Sequence, residues 1–212
     1  MDAPITLRAW ADYVCPWCYV GQVNPQRFHE EYGIAVDWQP FLLRPDAPKE
    51  GWALPENIKA RINSPDNPLA VRAKAVGLEL HHREWIPNSR RALAANEWVR
   101  QTAGLEKLHA FHSAVGDHYW AKSEDISTWD VLMAAAADVG LDGKAMRDAV
   151  DNGTFEAQID ESIARANEMG IHAVPTYVFF RGDEPVGAIQ GAQEYEVFQR
   201  AAKQLGLAPK QG

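Results

Sequence analysis

The sequence predicts an α/β fold, a sheet domain interrupted by a helical insertion, and three observations carry that prediction. Apolar residues alternate at period two over residues 5–11 and again over 34–38, the pattern of strands with one face buried. Two further strand-like runs, residues 176–180 and 185–189, lie near the C-terminus, separated by Arg181-Gly182-Asp183-Glu184. Between these pairs, from Pro68 to about Gly170, apolar residues recur at helical spacing. A chain of 212 residues is long for one minimal domain and short for two full ones, which fits one domain carrying an insertion. The expected division is residues 1–45 for the first half of the sheet domain, 46–170 for a mainly helical insertion, and 171–212 for the second half.

The first strand places Ile5, Leu7, Ala9 and Ala11 on one face and leads through Asp12-Tyr13-Val14 to Cys15-Pro16-Trp17-Cys18. A helix is expected from Pro16 to about Tyr32, because proline suits the first helical position and Gly33 can close the last turn. Ile34, Val36 and Trp38 then form a second strand that ends before Leu43-Arg44-Pro45. Strand, crossover helix and strand make a right-handed βαβ unit with a parallel pair. Residues 46–68, with Pro48, Pro55, Pro65 and Pro68, read as irregular connection.

Helices follow. Pro68 and Gly77 frame one, and Asn88 or Ser89 caps another bearing Ala92, Ala95 and Val99. Leu105, Leu108, Phe111, Val115 and Tyr119 form the clearest apolar stripe. Ser127 is placed to cap a helix with Leu132, Ala135 and Ala136, Asp142 to start the next, and Thr154 to begin one with Ile159 and Ala166 that closes at Gly170. The last two strands read as a hairpin, Gly191 leads into a final amphipathic helix with Tyr195, Phe198 and Ala202, and the tail after Gly206 is expected to fray.

Composition narrows the function. A hydrophobic fraction of 46% with eight tryptophans suffices for a core, and 21 basic against 29 acidic residues, net −8, argue against a nucleic-acid partner. No stretch approaches the roughly 18 apolar residues of a membrane span. Met1-Asp2-Ala3-Pro4 lacks a basic leader segment, so a cytoplasmic location is expected. Oligomeric state, monomer or homodimer, is not fixed by an apolar helix stripe.

The only two cysteines stand two residues apart at the start of the first helix. Only a thiolate attacks a disulfide, and the unpaired N–H groups and positive dipole end of a helix beginning at Pro16 would stabilise one on Cys15. Such settings lower a cysteine pKa to roughly 3.5–7.5. Cys15 is therefore expected to be the exposed attacking thiol, and Cys18, one turn on, the resolving one. A zinc site normally needs four ligands and no second cysteine pair exists, so no metal is expected. Asp12 admits two readings, influence on the protonation of the cysteine pair or pinning of the turn, and the turn is preferred because short acids there usually satisfy backbone N–H groups.

With Cys15-Pro16-Trp17-Cys18, Asn88-Ser89, Ala173-Val174-Pro175-Thr176 and Gly191-Ala192-Gln193 in this order, nearly the whole chain resembles the DsbA family, in particular its FrnE-like branch. The resemblance implies a thioredoxin-like sheet, a helical insertion over the active site, and disulfide oxidoreductase or isomerase activity through a redox-active Cys15–Cys18 disulfide. It implies no bound cofactor, glutathione as a candidate co-substrate, and cysteine-containing proteins or small thiols and disulfides as partners. It also implies that Pro175 is cis and faces the cysteines, a state found in about 5–6% of X–Pro bonds. The Val174 backbone would then be free to pair with an extended substrate. Related kappa-type glutathione transferases and 2-hydroxychromene-2-carboxylate isomerases normally lack the second cysteine, so Cys18 argues against that branch. A glutathione-dependent isomerase or transferase and a non-enzymatic holdase are the alternatives.

Trp17 is expected at the surface, contacting apolar substrate or packing under the insertion. Being uncharged, it points to a couple less oxidising than one with histidine between the cysteines. His172, three residues before Pro175, is a candidate thiolate stabiliser or a loop-packing residue. Glu106 and His109, with His112, are half of a di-metal motif without a second copy, so packing is the expected role. His81-His82 reads as solvated.

Overall fold

The computed structural model describes residues 3–64, 66–81 and 84–210; Met1, Asp2, Pro65 and His82, named above, lie outside them. Strand β1, Ile5–Ala11, carries the alternating N-terminal pattern, and β2, Val36–Pro40, lies parallel to it, with Ala9 beside Trp38. Ile34 precedes β2 instead of opening it. Two helices connect the pair: α1, Pro16–Gly21, and α2, Val23–Tyr32, the latter closed by Gly33 in the left-handed conformation at φ 76°. The single helix expected here is divided at Gln22. Pro25 has no N–H to give the Gly21 carbonyl, which instead accepts from the Tyr177 hydroxyl at 3.0 Å.

After β2 comes the segment read as irregular. It contains β3, Trp52–Ala53, and α3, Glu56–Ile62; after α4, Pro68–Ala75, comes β4, Trp85–Ile86, which pairs with β3 as a small antiparallel ribbon. The insertion is therefore not wholly helical. No α3 side chain is buried, which is why no apolar period announced it.

Helices α5, Arg90–Thr102, α6, Gly104–Trp120, α7, Trp129–Asp138, and α8, Gly143–Val150, pack on one another, and α5 and α6 also reach β2. Leu108, Phe111, Val115 and Tyr119 are buried as the stripe required, whereas Leu105, in the first turn of α6, is exposed. Asn88, not Ser89, supplies the side-chain oxygen that the Arg90 N–H meets at the start of α5. Asp142 caps α8, accepting from the N–H groups of Lys144 and Ala145. Ser127 lies two residues before α7 and is held by Asp125, and Thr154 lies two residues before α9, Glu156–Glu168.

The chain returns to the sheet in β5, Thr176–Arg181, and β6, Glu184–Gln190, an antiparallel hairpin, and ends in α10, Tyr195–Gln204. Strand order is β2-β1-β5-β6, with β5 antiparallel to β1. Leu7, Ala9, Tyr177 and Phe179 belong to the main core, where Phe28 of α2 and Phe198 of α10 meet the β5 aromatics. On the other face Trp10, Val178 and Phe180 enclose Ala166 of α9 in a smaller core. The tail does not fray through Lys210: its N–H donates to the Glu31 carbonyl at 2.7 Å, and Leu207 packs on the core.

Candidate active site

The end of β1 is shaped by one buried carboxylate. Asp12 accepts from the Val14 N–H at 3.2 Å and from the Leu43 N–H at 2.7 Å, while its carbonyl accepts from the Cys15 N–H at 3.0 Å. It therefore ties the turn before the cysteines to the chain leaving β2. Ser89, buried before α5, adds a side-chain hydrogen bond. Burial pushes the Asp12 carboxyl up to about 6, and these hydrogen bonds, Ser89 first, oppose that shift. The preferred turn-pinning role is present, and Asp12 also acts on Cys18 in two opposed ways, its backbone hydrogen bond favouring the thiolate and its charge, the smaller effect, disfavouring it.

Cys15 is the N-cap of α1, with Pro16 at the first helical position. Its sulfur accepts from the Cys18 N–H at 3.3 Å, a first-turn donor that it shares with the Cys15 carbonyl. The thiol also donates to the Val174 carbonyl at 3.5 Å. Cys15 is only 4% exposed, not the open thiol expected, because Val14, Pro16 and the Val174–Pro175 segment surround it. Cys18 is 2% exposed and its thiol is raised well above the usual range. Burial is the main cause, followed by the hydrogen bond and charge of Cys15.

The Val174–Pro175 peptide is cis. The Pro175 carbonyl accepts from Gly191 N–H at 2.7 Å, holding this loop to the end of β6. A Cβ on Gly21 would lie 2.6 Å from the Tyr177 hydroxyl and 3.3 Å from Pro175 Cγ, so the missing side chain lets the proline loop close on α1. Among the described residues no backbone hydrogen bond engages the Val174 N–H, while its carbonyl already meets Cys15.

Trp17 is 40% exposed beside the cysteines, as expected. His172 is exposed and forms no hydrogen bond or ion pair with either cysteine. His109 accepts from the Trp38 indole at 3.0 Å, and His112 stacks on Trp38 with ring centroids 3.9 Å apart. Burial drives both imidazoles below their ordinary range, His109 to about 4. Among the described residues no group of three or more His, Cys, Asp or Glu side chains is arranged to hold a metal, and no helix is long and apolar enough to cross a membrane. Two contributors were not singled out in the sequence, and a third was given another role. Gly21 and Tyr177 matter only through the fold, and Ser89, read as a cap, instead faces Asp12 from far along the chain.

A model of the DSBA-like thioredoxin domain matches residues 6–203. The chain belongs to this family. The uncharacterized protein YwbO of Bacillus subtilis is 27% identical over 198 residues, covering 93% of this chain and 95% of YwbO. The probable DsbA oxidoreductase SCO1869 from Streptomyces coelicolor superposes with a TM-score of 0.79 at 20% identity, over 99% of this chain and 93% of that one. The cytosolic disulfide reductase DsbM from Pseudomonas aeruginosa gives 0.70 at 19% identity, over 94% and 99% of the two chains. Its complex with GSH has also been solved. At these identities the likeness is one of DSBA-like fold, and the thioredoxin-like sheet with a helical insertion is shared.

Proposed function

We propose that this DSBA-like protein exchanges disulfides with thiol-containing substrates through Cys15 and Cys18. The supporting observation is the position of the Cys15 sulfur, at the start of α1, between the Cys18 N–H and the Val174 carbonyl. In this reading Cys15 attacks one sulfur of the substrate and the other leaves as a thiolate. The Cys18 N–H at the start of α1 points at the sulfur that makes this attack. Cys18, kept protonated by burial, then loses its proton, attacks the Cys15 sulfur and releases the second substrate thiol. Trp17 and Pro16 supply the apolar surface beside the sulfur, and Pro175 with Val174 forms its second wall.

The direction we favour is reduction or isomerisation in the cytoplasm. Trp17 places no charge between the cysteines, both cysteines lie in one motif, and the fold is shared with a disulfide reductase called cytosolic. Low-molecular-weight thiols are favoured as partners because the DsbM fold has been solved with GSH. Insulin reduction and small-disulfide exchange test the roles of the two cysteines. Cys15→Ser should abolish both activities, and Cys18→Ser should accumulate a mixed disulfide at Cys15. Full turnover by Cys15→Ser would refute the proposal.

A further inference from the structure

We propose that the cavity beside the cysteines binds a small disulfide or thiol carrying carboxylate groups, and that Arg44 and Arg61 recognise those carboxylates. This rests on the exchange reading and narrows its substrate class.

The cavity measures about 650 Å³ and is bounded at the motif by Val14 and Pro16, the residues on either side of Cys15. That volume suits a small molecule or short peptide. Helix α3 contributes Ile58 and Ile62 to the wall but buries no residue of its own. Further cavities of about 610 and 190 Å³ meet the first at Ile62 and Leu69. The space between α3 and the cysteine motif is therefore extensive and partly open, of a size for a small substrate.

Charge selects the ligand. The lining is largely apolar, and its charged members are Arg44, from the loop after β2, Arg61, from α3, and one carboxylate, Asp46. Among the described residues neither guanidinium has an ion pair or a side-chain hydrogen bond, although the protein carries a net charge of −8. Two exposed, unpaired forks from separate elements, lining a cavity that reaches the residues on either side of the attacking thiol, match a substrate with more than one carboxylate.

The chemistry is balanced without an added reductant in a single turnover. The Cys15 thiolate attacks RSSR, forming the Cys15–SR bond and expelling RS⁻. Cys18 then attacks Cys15, expelling the second RS⁻, and the protons of the two protein thiols end on two RSH. Two electrons pass from the dithiol to the small disulfide.

The test measures this oxidation of reduced full-length protein by dithiodipropionate, a dianion, by neutral hydroxyethyl disulfide and by cationic cystamine. Each rate is divided by that of free mercaptoethanol with the same disulfide, which removes intrinsic reactivity. The dianion should exceed the neutral compound roughly tenfold, with cystamine slowest, and the advantage should shrink with rising salt. In Arg44→Gln/Arg61→Gln the ratio of dianion to neutral rates should fall to about one, while Arg44→Lys/Arg61→Lys should keep part of it. A wild-type ratio near one, or one that survives in the Gln double variant, overturns the inference alone. Inertness toward all three disulfides overturns the exchange reading with it.

Discussion

At the scale of single residues, Asp12 combines an architectural task with an electrostatic cost. Its carboxyl binds the turn before Cys15 and the chain after β2, yet it is fully buried and its pKa rises from 3.8 to about 6. Between those values the folded protein keeps a proton that the unfolded chain has released. The associated stability is fully present below the unfolded value and is lost as pH rises through about 6. An asparagine has no such titration. The unfolding free energy of wild type minus that of Asp12→Asn should therefore fall by about 2 kcal/mol from about pH 4.5 to about pH 7.5. Urea unfolding of both proteins at the two pH values measures it, and a difference that stays flat would contradict a desolvated carboxyl. Cys15, Pro16, Trp17 and Cys18 were legible because their chemistry lies in adjacent positions. The burial of Asp12 was not, since its enclosure depends on Leu43 and Ser89, which only the folded chain brings to it.

At the scale of elements, the break between α1 and α2 couples the cysteine helix to the proline loop. Pro25 frees the Gly21 carbonyl, Tyr177 of β5 takes it, and the bare Gly21 α-carbon admits both Tyr177 and Pro175. Gly21→Ala would drive a methyl into the Tyr177 hydroxyl and press on Pro175, a change expected to cost about 1–3 kcal/mol by overpacking. Because the same contact sets the distance between α1 and the proline loop, disulfide exchange should slow as well. Tyr177→Phe removes the hydroxyl but strands the carbonyl, so it destabilises wild type. In the Gly21→Ala background it should cost less, since the clash goes with it. Strictly additive unfolding free energies would show that the two groups do not meet. Strands and long helices were legible here because burial on one face imposes a period. Thr154 and Ser127 were misassigned as helix starts because an Asx-type turn immediately upstream uses the same residue types as a cap.

At the scale of the molecule, the sheet order follows from what the sequence displays: a βαβ start demands a parallel pair, and a short polar link between two apolar runs demands a hairpin. The roof over the cysteines had no such signal. Helix α3 lies among prolines and polar residues, and its stability cannot come from buried apolar side chains, since it has none. A short helix whose apolar residues, Ile58 and Ile62, are only half-buried is marginal on its own. Local opening of α3 should therefore occur at far lower free energy than opening of the core, where Leu108, Phe111 and Val115 fix α6. Amide hydrogen exchange tests this directly. Residues 56–62 should exchange at least about a hundredfold faster than the centre of α6, as expected when the two openings differ by more than about 3 kcal/mol. Opening of α3 would widen the cavity bounded by Val14 and Pro16 without disturbing the sheet that carries the cysteine motif. Protection of residues 56–62 equal to that of α6 would instead make α3 part of the core and its wall of the cavity fixed.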